Sequence, residues 1–274
     1  MKKILVPVDF SLCAIEALKV ATVWAEKNEA ELVLLYVLEN HDFEELIDAQ
    51  THTDSKFTLK EDFIQVKEEL KGLTAELKVK NSIKIYSGNI KDAILKAVHL
   101  ENAEMIIMGT RGNNNNKRVF LGSTAESILR ESKVPVLSVK YSKITFTPKK
   151  VALAIDLEDK LELPIQKIDE IRKKLEAKLH IVYVNTANNF STNRDLNKKM
   201  TNFAKKYELK DYQFHIYCDI LQDEGIKNFA NDEKIDLIIM FSHQRKGLSK
   251  FWKGSVSEGV VGESLVPVLT FPSN

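Results

Sequence analysis

The sequence predicts an α/β fold built twice in tandem, as two doubly wound parallel sheets of five strands each. Three observations carry this. Short apolar runs recur with almost no alternation, as expected of parallel strands covered on both faces. Patterns of helical period separate them, which implies right-handed crossovers. The same blocks also appear twice in the same order.

The repeat is direct. Lys2-Lys3-Ile4-Leu5-Val6-Pro7-Val8-Asp9 aligns with Lys149-Lys150-Val151-Ala152-Leu153-Ala154-Ile155-Asp156 at an offset of 147. Ala30 to Val37 meets Ala177 to Val184 at the same offset. Farther on, Met105-Ile106-Ile107-Met108 meets Leu237-Ile238-Ile239-Met240, and Val134-Pro135-Val136-Leu137 meets Val266-Pro267-Val268-Leu269, both at 132. The offset falls from 147 to 132, so the first copy is 15 residues longer between its second and fourth strands.

In the first copy the strands are placed near 3–9, 31–37, 82–86, 104–109 and 134–139. Ala14, Ala17, Leu18, Ala21 and Ala25 share one helical face, with Ser11 as the N-cap. Phe63, Val66, Leu70, Leu73 and Leu77 form a second stripe, and Thr58 and Glu61 have capping-box spacing before it. Tyr141 to Pro148 reads as the linker, giving domains at 1–141 and 149–274. In the second copy Pro164 falls where the first is already helical, so that helix should start later, near residue 163.

Composition narrows the function. The chain has 274 residues, 44% hydrophobic and 29% charged, which suits a globular protein. A net charge of +1 gives no general attraction to nucleic acid or to an anionic membrane surface. The apolar N-terminus is cut short by Asp9 and reads as a buried first strand rather than a leader. Cys13 and Cys218 fit reduced, packed thiols, so a cytoplasmic location is expected.

After the fourth strand comes a glycine loop. Gly109, Gly112 and Gly122 are spaced as Gly-x2-Gly-x9-Gly, with Thr110 inside the loop and Ser123-Thr124 closing it. A helical pattern begins at once with Ala125, Ile128 and Leu129, so free N–H groups and a positive dipole end face the loop. That is a phosphate cradle. No Gly-Lys-Ser or Gly-Lys-Thr closes it, so it is not a Walker A loop. It also follows the wrong strand for a dinucleotide turn.

The spacing, with Val6-Pro7-Val8-Asp9-Phe10-Ser11 at the opening strand and Val134-Pro135-Val136-Leu137 at the closing one, resembles the universal stress protein family in a tandem form. The resemblance implies an adenine nucleotide alpha hydrolase-like fold and an ATP site, with or without Mg²⁺. In ATP-binding members the residues matching Pro7, Asp9 and Val37 lie about the adenine, and those matching Gly109, Thr110, Gly112, Gly122, Ser123 and Thr124 hold ribose and phosphates. Lys117 and Arg118 would add charge nearby. Members of the family pair through the last strand, so the two last strands here would make the chain an intramolecular pseudo-dimer. A further homodimer of the whole chain stays open.

The second copy departs from the pattern. Phe241 replaces Gly109, Gln244 replaces Gly112, and only Gly254-Ser255 survives. A side chain at position 241 is expected to fill the ribose space, leaving Asp156 and Val184 as inherited strand ends.

The residues carry no clear catalytic set. Histidines 41, 52, 99, 180, 215 and 243 make no metal-binding pair on a helix and read as surface or packing residues. No nucleophile elbow or Cys/His signature is present. Three functions remain: an ATP-binding stress-response or signalling module, an interaction module with an empty or differently occupied pocket, and, last, an enzyme such as an ATPase.

Overall fold

A computed structural model describes residues 2–39, 53–110, 121–141, 145–157, 162–242 and 256–272. The first half runs β1 (Lys3–Pro7), α1 (Leu12–Asn28), β2 (Glu31–Leu38), α2 (Thr53–Thr74), β3 (Asn81–Ser87), α3 (Ile90–Leu100), β4 (Met105–Gly109), α4 (Ser123–Glu131) and β5 (Val136–Val139). The second runs β6 (Lys150–Ala154), α5 (Ile165–Lys174), β7 (Lys178–Asn185), α6 (Asn193–Lys206), β8 (Tyr212–Cys218), α7 (Gln222–Asp232), β9 (Leu237–Ser242), α8 (Val256–Glu263) and β10 (Val268–Pro272).

The two five-stranded halves join edge to edge into one ten-stranded sheet, in the order β3-β2-β1-β4-β5-β10-β9-β6-β7-β8. Pairing is parallel inside each half, and the join between β5 and β10 is antiparallel. Its register identifies a pseudo-dyad. Leu137 pairs with Leu269, its own counterpart in the repeat, while Val136 pairs with Thr270 and Ser138 with Val268. Those flanking pairs exchange under the repeat offset, as a two-fold axis through Leu137 and Leu269 requires. Each half thereby hides an edge strand that would otherwise offer unpaired N–H and C=O groups.

Burial on both faces explains the unalternating strands. On one face α1, α2, α5 and α6 cover a core that includes Ile4, Trp24, Leu70, Leu137, Ile168, Met200 and Leu269. On the other α3, α4, α7 and α8 cover Leu5, Ile94, Ile106, Ile128, Phe229, Ile238 and Val261. Each layer crosses the seam between the halves without a break.

Most local expectations hold. Ser11 caps α1 by accepting from the Ala14 N–H at 3.2 Å. Pro164 is the N-cap of α5, so this helix starts where proline's missing donor does no harm. One expectation fails: α2 already begins at Thr53, so Thr58 and Glu61 lie within the helix rather than at its cap. The capping-box spacing recurs by chance in a polar helix. Around the linker, Phe146 is buried and stacks on Trp24 with ring centroids 6.4 Å apart.

Candidate functional site

The carboxyl ends of β1, β2 and β4 meet in the first half, where doubly wound sheets place their ligands. Pro7 ends β1, and the ladder to β2 closes with the Val8 N–H donating to the Leu35 carbonyl at 2.8 Å. In a parallel strand every second residue turns its backbone groups to the same neighbour. Val37 therefore points its N–H and C=O toward β1 beyond the place where β1 has turned away. Asp9 makes that turn. Its carboxylate accepts from the Ser11 N–H at 3.0 Å, and Phe10 takes φ 59°, with its ring 5.4 Å from that of Tyr36.

Gly109 ends β4 against the first turn of α1. A Cβ there would stand 2.8 Å from the Cys13 carbonyl carbon and 2.9 Å from the Ala14 nitrogen. The sequence reading tied this glycine to ribose space. The structure gives it a different reason, the close approach of a helix backbone. Thr110 continues the chain: its N–H donates to the Val139 carbonyl and its carbonyl accepts from the Gly122 N–H, each at 2.9 Å. Its hydroxyl is fully buried without a hydrogen-bond partner among the described residues. Gly122 is the N-cap of α4, has no side chain to offer the helix, and leaves Ser123 exposed and Thr124 half-buried in the first turn. Gly112, Lys117 and Arg118 lie outside the described residues, as do Gln244 and Gly254-Ser255 of the second half.

The second half differs at the strand ends that correspond. Phe241 is buried against the Phe271 ring at 6.1 Å, within a core that includes Leu163 and Ile165. The Asn185 side chain both donates to the Ser191 carbonyl and accepts from the Ser191 N–H at 3.0 Å, folding the following segment back over the strand end. Gly225 approaches Val184 so closely that a Cβ would meet its Cγ1 at 2.5 Å. Val184 is therefore sealed beneath α7, unlike the half-buried Val37.

Sequence reasoning missed one polar feature. His180 on β7 and His215 on β8 are joined through Nδ1 and Nε2 at 3.1 Å, with stacked rings 5.2 Å apart. The strand registers explain the gap in the sequence reading. His215 stands opposite Val182 as Lys84 stands opposite Leu35, so it occupies the place of Lys84. In the first half Lys84 bonds buried Glu101 at 2.9 Å, and this bond holds the Glu101 carboxyl below its ordinary range. In the second half a histidine pair replaces that ion pair. Burial depresses the pKa of both imidazoles. Cys218 also differs from expectation: it ends β8 as an exposed free thiol, whereas Cys13 is buried. Among the described residues no three His, Cys, Asp or Glu side chains gather as a metal site, and no helix is long and apolar enough to cross a membrane.

Comparison with known proteins agrees with this architecture. The universal stress protein family model matches residues 1–140 and again 147–272. The universal stress protein MJ0531 of Methanocaldococcus jannaschii is 31% identical over 142 residues, which is 52% of this chain and 84% of that protein. MJ0577 of the same organism is 31% identical over 154 residues, 51% of this chain and 94% of the relative. A universal stress protein from Archaeoglobus fulgidus, solved as a crystal structure, superposes with a TM-score of 0.76 at 22% identity, covering 99% of this chain and 98% of its own. The chain belongs to the universal stress protein family, in a tandem two-domain form.

Proposed function

We propose that the first half binds an adenine nucleotide, ATP in the first instance, and that the protein is a stress-response or signalling module rather than an enzyme. The observation that carries this is the Thr110 hydroxyl. It is buried, without a hydrogen-bond partner among the described residues, beside a helix whose glycine N-cap leaves its first donors without a side-chain acceptor. A phosphate oxygen would satisfy both, because an orphaned buried hydroxyl is costly and a helix N-terminus favours an anion. Adenine would be read by the backbone of Val37 beside Pro7 and Asp9, and Gly109, Gly112, Ser123 and Thr124 complete the proposed set. Mg²⁺, where present, would accompany the phosphates.

The second half serves as a built-in dimer partner. The Asn185–Ser191 bonds over the end of β7 and the burial of Val184 beneath α7 would leave that strand end no room for an adenine. In this reading 1–141 and 149–274 are separate folding domains. Two free cysteines suit a cytoplasmic protein. A second reading is an interaction module without nucleotide. It is favoured by the structural duties of Asp9 in its turn and Gly109 against α1. Chromatography of whatever purified protein releases on denaturation separates the two. Adenine nucleotide in about equimolar amount, or a thermal midpoint that rises with added ATP, supports the first. Neither result leaves the second.

A further inference from the structure

Away from the strand ends just described, a crevice of about 50 Å³ opens at the seam, near the amino ends of β1 and β4. Its walls are apolar: Ile4, Trp24 and Met105 from the first half, Ile171, Leu269 and Phe271 from the second. Three lysines line it. Lys2 and Lys167, one from each half, are exposed and have no carboxylate partner among the described residues, while Lys3 reaches Glu101 at 3.7 Å. Glu104 lines it too, leaving a positive excess.

The pseudo-dyad shows what such a space accepts. It carries Trp24 onto Ile171 and Lys2 onto Lys149, so the counterpart of this space lies beside Lys149, with Trp24 in the place of Ile171. There the linker, three residues before Lys149, supplies an aromatic ring: Phe146, buried and stacked on Trp24 at 21°. Two halves need only one connection, so the linker serves one side of the axis. The other side keeps an apolar wall beneath Lys2 and Lys167, which have no carboxylate partner among the described residues. Sites between domains, apolar with a few placed polar groups, are where small ligands bind.

We propose that this crevice binds a small aromatic carboxylate at its open mouth, the ring edge entering against Ile171 and Trp24 as Phe146 lies against Trp24 in the counterpart space, and its carboxylate between Lys2 and Lys167. Dispersion and ring contact hold the apolar part. The two ammonium groups select an acid over its neutral analogue. This site is independent of nucleotide binding.

The test is fluorescence titration of the full chain carrying Trp252→Phe, so that Trp24 is the sole tryptophan, with phenylacetate as probe. Emission should change saturably, with half-saturation at or below about 10 mM. The neutral 2-phenylethanol should bind roughly threefold or more weakly, and Lys2→Glu with Lys167→Glu should weaken phenylacetate by roughly fivefold or more. Ile171→Trp, which fills the crevice from a half-exposed position, should abolish the response, followed by the Trp24 indole resonance in NMR. The same resonance in the unaltered chain serves if Trp252→Phe impairs folding. A folded protein with no saturable response, equal affinity for acid and alcohol, or indifference to the two lysine reversals would each overturn the proposal.

Discussion

Gly109 and Cys13 are in backbone contact: a Cβ on the glycine would lie 2.8 Å from the cysteine carbonyl carbon. In the second half Phe241 is the counterpart of Gly109, and the counterpart of Cys13, position 160, lies outside the described residues. Helix α5 begins at Ile165, whereas the counterpart of Leu12 is position 159. There Phe241 is buried against Phe271, in a core that includes Leu163 and Ile165 at the start of α5. In the first half the α1 backbone leaves no room for a side chain at position 109. Gly109→Ala should therefore destabilise the chain by about 1–3 kcal/mol without any ligand, read by urea denaturation. Unchanged stability would show that α1 yields easily and that the contact is loose.

Thr110→Val is the cleaner probe of the proposed nucleotide site. The change keeps the shape of the side chain and removes a hydroxyl that has no partner among the described residues. Stability without nucleotide should stay level or rise by up to about 1 kcal/mol, while ATP affinity should drop roughly five- to tenfold. Equal affinity by calorimetry would remove Thr110 from the phosphate set.

Acid should weaken the second half more than the first. His180 and His215 face one another beneath Phe229 of α7, with Lys150 on β6, Lys178 on β7 and Glu233 after α7 as the neighbouring charges. Burial is the first cause that lowers both pKa values below 6.5, and His180 is further depressed by His215. The folded state thus binds protons less readily than the unfolded chain. Stability is full above the unfolded value and falls as the pH drops through about 6.5 toward the lower folded values. Double substitution His180→Val, His215→Lys restores the first-half pattern and should flatten that fall. Urea midpoints at about pH 7.5 and 5.5 for both proteins decide it. Parallel curves would mean that other histidines carry the effect.

Arg130 bridges Glu126 and Glu258, which are counterparts across the pseudo-dyad, at 2.7 and 3.0 Å. Its own counterpart is Gly262, so one arginine serves both carboxylates. The guanidinium is largely exposed, and Arg130→Ala should cost no more than about 1 kcal/mol. The difference should shrink further in about 1 M salt. A larger, salt-independent loss would mean that the bridge organises packing between α4 and α8.

Residues 1–141 alone should fold and self-associate, since β5 would again seek an antiparallel partner. Light scattering on the fragment tests this: a monomer of native helicity would show that β10 offers something a second β5 does not.

Much of this molecule was legible in one dimension. Strand positions followed from runs such as Met105 to Met108, and the duplication from ordered blocks around Asp9 and Val134. The residues expected at the strand ends do fall there because the fold class fixes where β1, β2 and β4 terminate. What stayed hidden depends on distances between segments remote in sequence. The contact of Gly109 with Cys13 could not be read from the sequence, because it is set by how α1 crosses the sheet. The histidine pair needs the register of β7 against β8. Exposure of Cys218 follows from its place at the end of an edge strand, and burial of Phe146 from the path of a linker whose composition reads as polar.

The pairing of Leu137 with Leu269 also alters the arithmetic of assembly. Two separate subunits meeting at this seam would dissociate on dilution and exchange partners with related chains. Covalent tethering makes the encounter first order, with an effective concentration set by the short linker instead of by expression level. A scarce protein thus stays as fully assembled as an abundant one, and each half always meets the same neighbour. Under that guarantee the second half can carry Phe241 and Gln244 where the first has Gly109 and Gly112 and still preserve the seam.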